Sequence, residues 1–179
     1  FENCRNFEAA VKYCMKEEGR LDGPWTKGVK GNVEAGLAKK DMYAWQLKVL
    51  ELLEEPANDR TIIWCYDLEG RTGKTKLGRW LLKHKNAIYL NSGGKDMLYA
   101  ISQWEDPDDL IVVVNLARNN TVDFVALEAI KDGVFFVQKY ESRCVMIDPP
   151  HVVIFANYKP EEGLMSGDRF IYVPCNRMK

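Results

Sequence analysis

The stretch Thr61-Ile-Ile-Trp-Cys-Tyr-Asp-Leu-Glu-Gly-Arg-Thr-Gly-Lys-Thr75 decides the fold of this chain. Its first six residues are typical of a buried strand, and a helical pattern begins at Lys74. Gly70 and Gly73 allow the backbone between them to curl so that its N–H groups converge, and the helix adds the positive end of its dipole. Lys74 would neutralise the β- and γ-phosphates of a nucleotide, and Thr75 would hold Mg²⁺ through its hydroxyl. The stretch therefore predicts a phosphate-binding loop.

The loop departs from the full G-x-x-x-x-G-K-[ST] pattern, because Leu68 stands where that pattern has its first glycine. A bare G-K-T is also found in turns that carry a surface lysine. The position between a strand and a helix favours the phosphate loop, because the motif requires that context. The predicted nucleotide-binding residues are Gly70, Arg71, Thr72, Gly73, Lys74, Thr75 and Lys76.

On the C-terminal side of residue 60, short apolar runs alternate with helical patterns. This alternation indicates an α/β fold with a central, mainly parallel sheet flanked by helices. The predicted strands are Thr61–Tyr66, Ala87–Leu90, Leu110–Val114, Cys144–Ile147, Val152–Ala156 and Phe170–Val173. The predicted helices are Lys74–Lys85, Lys95–Trp104 and Val122–Lys131.

The region before residue 59 is predicted to be mostly helical and different in character. An amphipathic stripe covers Asn6–Glu18, a glycine-rich break covers Arg20–Asn32, and a second stripe runs from Met42 to Leu53 and ends before Pro56. The predicted division is therefore 1–32, 33–58 and 59–179, with a small helical N-terminal part preceding the α/β domain.

Composition excludes several classes of protein. The chain has 179 residues, 46% of them apolar, and 25 Lys plus Arg against 26 Asp plus Glu. This balance argues against global disorder and against a uniformly basic nucleic-acid coat, but allows a local patch or a basic channel in a ring. No apolar run is long enough for a membrane span, and the first twenty residues show no secretory signal. Five cysteines without a C-x-x-C pair, and two histidines, indicate a reduced, intracellular protein without a zinc site.

Two strand ends and one loop supply further candidate site residues. Asn115 follows the run Leu110–Val114, where a Mg²⁺-organising Asp is expected, and offers only a neutral amide. Asn157 ends the strand from Val152 and can bind a γ-phosphate or orient the attacking water. Arg169 can reach the nucleotide of a neighbouring subunit. Asn is also a common turn residue after a strand, and a loop Arg is often an ordinary surface charge.

A basic and aromatic stretch predicts contact with nucleic acid. Lys131, Lys139 and Tyr140 lie around Phe135 and Phe136. A strand-and-hairpin core accounts for the aromatic residues, whereas a hairpin that carries cations to a DNA backbone accounts for the lysines.

Five segments in this order give the chain a resemblance to a known family. They are WCYDLEGRTGKT (64–75), VVVNLAR (112–118), EAIKDGVFFVQKYES (128–142), PPHVVIFANYKP (149–160) and SGDRF (166–170). They resemble the superfamily 3 helicase domain of the replication initiator (Rep) proteins of circular single-stranded DNA viruses and related plasmids. The resemblance covers about Trp45 to Val173. It implies an AAA+-like P-loop NTPase fold, ATP and Mg²⁺ as cofactors, and rings, commonly hexamers, with nucleotide held between subunits.

The resemblance also implies roles for individual residues. Gly73, Lys74 and Thr75 match the Walker A core, and Asn115 stands where the family has its Walker B aspartate. Lys139 and Tyr140 match an element of a pore hairpin that touches single-stranded DNA. Asn157 matches the motif C sensor, and Arg169 resembles the arginine finger. The segment 33–58 would then serve oligomerisation.

The N-terminal stripe resembles the tail of the HUH nicking domain of the same proteins. Tyr13-Cys14-Met15-Lys16 has the Y-x-x-K form, in which the tyrosine attacks a DNA phosphate. That chemistry needs a metal held by a His-x-His pair, which this sequence lacks because it would lie before Phe1. We therefore expect no nicking by the chain as given.

The function expected from these residues is that of an ATP-dependent helicase module in rolling-circle replication, which translocates on single-stranded DNA. Three alternatives remain open at this point. The chain could be a nucleotide-binding oligomerisation scaffold with weak turnover, an unrelated P-loop enzyme such as a small-molecule kinase, or a superfamily 3 RNA helicase. The expected location is intracellular, and the host nucleus if the source is a virus.

Overall fold

In the computed structural model, residues 36–116, 121–140, 142–160 and 163–178 are described. The predicted helix Asn6–Glu18 and the glycine-rich break lie outside these ranges. The helices are α1 (Ala44–Leu52), α2 (Lys74–His84), α3 (Gly94–Ser102) and α4 (Phe124–Asp132). The strands are β1 (Ile62–Tyr66), β2 (Ala87–Leu90), β3 (Ile111–Asn115), β4 (Val134–Val137), β5 (Arg143–Met146), β6 (His151–Ala156) and β7 (Phe170–Pro174). Short 3₁₀ turns cover Lys39–Asp41 and Gly167–Arg169.

Five strands form one parallel sheet in the order β2-β3-β6-β1-β7. Ile62 at the start of β1 pairs with Val152 of β6 on one side and Phe170 of β7 on the other. Because all five strands run the same way, their carboxyl ends meet at a single edge of the sheet. The predicted α/β class with a parallel sheet flanked by helices is confirmed.

The sheet has a hydrophobic core on each face, because successive side chains of a strand point to opposite sides. Trp64 of β1 belongs to the core beneath α3 and α4, whereas Cys65 belongs to the core beneath α1 and α2. On the second face, Gly78 lets α2 approach the sheet closely, because a Cβ at this position would lie 2.8 Å from the Tyr89 ring. Helix α1, which the sequence predicts over Met42–Leu53, is part of this second core. Helix α1, although it precedes β1 in the sequence, therefore contributes directly to the packing of the sheet.

A separate antiparallel hairpin consists of β4 and β5. The strand predicted over Cys144–Ile147 is present as β5, but it pairs with β4, which is absent from the predicted strands. Gly133, at φ +69°, ends α4 and turns the chain directly into β4. Phe135 and Val137 of β4 are buried in the first core, and Val134 and Phe136 face outward. One side of the hairpin therefore packs into the core beneath α3 and α4, and the other side faces outward.

Within the described ranges, no helix has both the length and the apolar composition needed to cross a membrane.

Candidate nucleotide-binding site

The predicted loop residues line a cleft at the carboxyl edge of the sheet. The cleft has a volume of about 450 Å³. It is lined by residues 70–76, which follow β1, together with Asn115 and Leu116 after β3 and Asn157 after β6. The sheet order places β6 between β1 and β3, so the ends of three adjacent strands form the walls. The structure thus brings together all the nucleotide-binding and metal-binding candidates that the sequence places between Gly70 and Asn157.

The backbone of the loop adopts left-handed conformations at three positions. The φ angles are +83° at Gly70, +61° at Arg71 and +90° at Gly73. A residue with a Cβ is strained at such angles, which explains why glycine occupies positions 70 and 73. Leu68, the departure from the P-loop pattern, points away from the core and is 83% exposed. The loop therefore forms its curl without a glycine at position 68.

Asp67 is the central acceptor of the loop, and sequence reasoning assigned it no role. Its buried carboxylate accepts hydrogen bonds from the backbone N–H of Gly70, the hydroxyl of Thr72 and the ammonium of Lys74. Burial raises the pKa of Asp67, but the hydrogen bonds from Lys74, Thr72 and Gly70 outweigh it and leave that pKa below its ordinary value. The only sequence signal is an acid placed directly after β1. Its carboxylate holds the loop together from the inside.

Lys74 also contacts Asn157. Its Nζ lies 2.9 Å from Asn157 Oδ1, and the Asp67 N–H donates to the Ala156 carbonyl across the two strand ends at 3.4 Å. The lysine and the predicted sensor, which are 83 residues apart in sequence, therefore share one site. Any phosphate that Lys74 binds in this cleft comes within reach of the Asn157 side chain.

Asn115 faces the same cleft from β3. Its side chain hydrogen-bonds Tyr89, which opposes the rise in the Tyr89 pKa that burial causes. The donor set for a metal is thus one amide oxygen and the Thr75 hydroxyl. Within the described ranges, no group of three or more His, Cys, Asp or Glu side chains could hold a metal. These neutral oxygens fit a Mg²⁺ ion that takes its negative ligands from nucleotide phosphates rather than from the protein.

Arg169 lies at the opposite edge of the sheet. It immediately precedes Phe170, which pairs with Ile62 at the start of β1, so the length of β1, about 13 Å, separates it from the loop. Its Nη2 lies 3.8 Å from Glu128 Oε1, and its buried Nη1 has no hydrogen-bond partner in the described part of the chain. The structure therefore does not bring Arg169 to the cleft of its own subunit.

The DNA-contact candidates separate into two groups. Lys139 and Tyr140 lie at the tip of the hairpin, where Tyr140 is 85% exposed and Lys139 pairs with Asp96 of α3. Lys131, by contrast, is 1% exposed, and its Nζ donates to the Pro150 carbonyl at 2.7 Å. The prediction that Lys131 contacts DNA is wrong, because its ammonium is enclosed by its own domain. The helical spacing of α4 explains this position, since Lys131 follows the buried Leu127 by four residues.

The relatives of the chain are replication proteins. No family model matches the sequence. The master replication protein of banana bunchy top virus is 33% identical to it, over 94% of this chain and 74% of the relative. Para-Rep C9 of the faba bean necrotic yellows C9 alphasatellite is 31% identical, over 95% of this chain and 75% of the relative. The chain belongs to the Rep replication proteins. The resemblance predicted from the five segments is confirmed at the level of this family.

Solved structures provide only distant likenesses to this Rep-family chain. The C-terminal region of NrS-1 matches with a TM-score of 0.49 and 16% identity, over 75% of this chain and 34% of that one. A mutant RuvB from Thermotoga maritima matches with a TM-score of 0.40 and 16% identity, over 72% of this chain and 41% of that one.

The predicted nicking residues Tyr13 and Lys16 lie outside the described residues.

Proposed function

We propose that this Rep-family chain is the ATPase and helicase module of a rolling-circle replication initiator. It hydrolyses ATP with Mg²⁺ and translocates on single-stranded DNA as a ring of identical subunits, with six as the expected number. A single observation carries this proposal. Lys74 Nζ lies 2.9 Å from Asn157 Oδ1 in a cleft that is lined by the loop of residues 70–76. A cation and an amide converge there beside backbone donors, as phosphate binding and water positioning require.

Each side chain of the cleft has a role in this proposal. Lys74 and the loop amides hold the β- and γ-phosphates, and Thr75 and Asn115 hold the metal. Bound Mg²⁺ supplies charge neutralisation on the phosphate oxygens. Asn157 donates its amide hydrogens to the γ-phosphate or accepts a hydrogen bond from the attacking water. Asp67 keeps the loop curled around Lys74.

A ring is proposed because Arg169 is too far from its own cleft. About 13 Å of strand lie between them, so an arginine finger at this position would serve only the nucleotide of a neighbouring subunit. The exposed tip of the hairpin, with Lys139 and Tyr140, presents a cation and an aromatic ring for the DNA backbone and bases.

A second candidate function is favoured by Asn115. A neutral amide where a carboxylate is expected weakens the organisation of the metal, so the protein would bind nucleotide as an assembly scaffold and turn it over slowly. Comparison of the wild type with Asn115→Asp separates the two functions. A helicase predicts substantial turnover in the wild type, whereas the scaffold predicts intact binding in both proteins and a gain of tenfold or more in the variant.

The direct test measures ATP hydrolysis with and without single-stranded DNA, and displacement of a labelled strand from a partial duplex. We expect DNA to stimulate hydrolysis, ATP to be required for displacement, and single-stranded RNA of the same sequence to compete poorly. Stimulation by RNA alone would favour an RNA helicase. Turnover that ignores nucleic acid and requires a small phosphate acceptor would favour a kinase.

A further inference from the structure

Helix α1 contacts the phosphate loop through two side-chain donors. Trp45 Nε1 donates to the carbonyl of Thr72 at 3.3 Å, and Gln46 Nε2 donates to the carbonyl of Gly73 at 3.1 Å. Two adjacent residues of one helix thus bind two consecutive carbonyls of the loop, 27 residues further along the chain. Both side chains are buried, and Gln46 is only 1% exposed.

The Gln46 amide is held at both ends. Its Oε1 accepts the backbone N–H of Tyr43 at 2.9 Å, which fixes the side chain at the first turn of α1. The contact with the loop is close, because a Cβ at Gly73 would lie 3.0 Å from Gln46 Nε2 and 3.6 Å from the Tyr43 ring. A buried Gln with both of its polar atoms bonded holds one orientation. The loop therefore rests against a fixed surface of α1.

Holding these carbonyls also sets the direction of the amides that follow them. A trans peptide is planar, so its C=O and N–H point to opposite sides. With the Thr72 and Gly73 carbonyls turned toward α1, the N–H groups of Gly73 and Lys74 are turned away from it. The Gly73 carbonyl also accepts the Leu77 N–H at 3.0 Å as the first bond of α2, so this carbonyl is held from two directions.

We propose that Gln46 and Trp45 are positioning residues of the nucleotide site, which orient the phosphate-binding amides of residues 73 and 74. This inference rests on the proposed nucleotide-binding function. Neither side chain lines the cleft in which the phosphates would be held. They act on affinity by reducing the reorganisation that the loop undergoes when an anion binds. Because the loop holds phosphate in the ground state and the transition state alike, their loss raises KM more than it lowers kcat.

The test uses Gln46→Met and Trp45→Phe, measured with ATP, ADP and a fluorescent ATP analogue. Gln46→Met keeps the length and apolar contacts of the side chain but loses its one donor to the loop, together with its acceptor for Tyr43. Trp45→Phe keeps an aromatic ring while losing the indole N–H, its one donor to the loop. We expect each variant to bind nucleotide about fivefold to tenfold more weakly, as for one lost hydrogen bond, with kcat at saturating ATP within about twofold of the wild type.

A matched control separates positioning from general loosening. Asn86→Ala removes three hydrogen bonds beyond the far end of α2 and away from the loop. Two, of 2.8 Å, go to the carbonyls of Asp106 and Asp108, and one, of 3.0 Å, comes from Trp104 Nε1. All three variants are expected to lower the Tm of the free protein, but only those in α1 should reduce the rise in Tm caused by ADP. Gln46→Glu adds a further check, because it retains an acceptor for Tyr43 but no donor for the loop, and it too should weaken binding.

The outcomes are distinguishable. Unchanged nucleotide affinity in Gln46→Met and Trp45→Phe would overturn the inference, and so would an equal loss of affinity in Asn86→Ala. A wild type that binds none of the three nucleotides would overturn the proposed function itself, and this inference with it.

Discussion

The two edges of the parallel sheet hold their charged side chains in different ways. At the carboxyl edge, Lys74 contacts Asp67 and Asn157, and Lys74 and Asn157 line a cleft between the ends of three strands. At the amino edge, Lys131 donates to the carbonyl of Pro150, and Arg169 lies within 3.8 Å of Glu128. Both edges contain cations, but of Lys74, Lys131 and Arg169 it is Lys74 that lines an open cleft.

Under the proposed function, access rather than charge separates the ligand-binding cation from the structural one. Lys74 and its partner Asn157 line the cleft, so a phosphate can join them without displacing packed side chains. The ammonium of Lys131 is enclosed, and a polyanion would have to open the core to reach it. Arg169 is intermediate, because it is mostly buried within its own subunit but has one nitrogen without a partner in the described residues. Four measurements address this comparison.

The largest effect is expected for Lys74→Ala. Removal of the cation that contacts both Asp67 and Asn157 should abolish measurable ATP turnover, a loss of more than about a thousandfold, because the phosphates lose their counter-charge. ATP turnover and nucleotide affinity are measured beside Lys83→Ala, an exposed lysine on the same helix. Unchanged turnover in Lys74→Ala would show that the carboxyl edge is not the working edge of the sheet.

The second effect concerns the amino edge and the neighbouring subunit. Arg169→Ala should lower turnover by about a thousandfold if the guanidinium stabilises transition-state charge in trans, while nucleotide affinity stays nearly intact. Arg60→Ala is the control, because Arg60 lies at the same edge and pairs with Asp168 at 2.8 Å. Equal losses of affinity and turnover, or a lower Tm with normal turnover, would identify Arg169 as a structural arginine held by Glu128.

The fold could be predicted from the sequence because its signals are local. Apolar runs such as Thr61–Tyr66 and the helical pattern from Lys74 depend only on neighbouring residues, and the structure places β1 and α2 within one residue of them. Strand β4 is missing from the predicted strands, although a hairpin is one interpretation of Phe135 and Phe136. Val134–Val137 directly follows α4 at Gly133, so no separate apolar run marks it. The antiparallel pairing of β4 with β5 requires the chain to reverse between the two strands, and the composition of β4 does not indicate that reversal.

The site could be predicted only in part. The glycines and Lys74 follow from the chemistry of phosphate binding, but Asp67 and Gln46 act through contacts that no local pattern records. Gln46 lies 27 residues before the carbonyl that it binds. Lys131 was misassigned because a lysine beside aromatic residues looks like a nucleic-acid contact until its burial is known.

The third prediction concerns the burial of Lys131 at the amino edge of the sheet. Burial lowers the pKa of Lys131 from 10.5 to about 8, with attraction to Asp59 opposing the shift and repulsion from Arg169 adding to it. Between these values the unfolded chain binds more protons than the folded one, so the free energy of unfolding rises with pH. Between pH 7.5 and 9.5 the wild type should gain on the order of 2 kcal/mol relative to Lys131→Met.

Urea unfolding at several pH values provides this measurement, with Lys83→Met as the control for an exposed lysine. That control should show the same pH dependence as the wild type, because its lysine is in water in both states. If Lys131→Met also parallels the wild type, Lys131 is reached by solvent, and the contrast between the two edges disappears.

The smallest effect is expected at the hairpin tip, where an ion pair on the protein surface would compete with binding of single-stranded DNA. Lys139 pairs with Asp96 in the first turn of α3, and the Tyr140 ring lies 5.1 Å from that of Tyr99. If Lys139 binds the DNA backbone, each phosphate competes with Asp96 for the same ammonium. Exposed ion pairs contribute about 0–1 kcal/mol, so Asp96→Asn should strengthen binding of single-stranded DNA only about twofold to fivefold.

Glu51→Gln is a closely matched control, because Glu51 is also an exposed acid paired with a lysine, Lys48, at 2.9 Å on α1. Both variants remove one negative charge, so a general electrostatic gain would be equal in the two and would argue against a specific role for Lys139. A gain confined to Asp96→Asn, and lost when Lys139→Gln is added, would place the DNA contact at the hairpin tip. Because α3 begins just after the carboxyl end of β2, that tip lies at the same edge as the nucleotide cleft. Both ligands of the proposed helicase would then be bound at the carboxyl edge of the sheet, by Lys74 in the cleft and Lys139 at the hairpin tip.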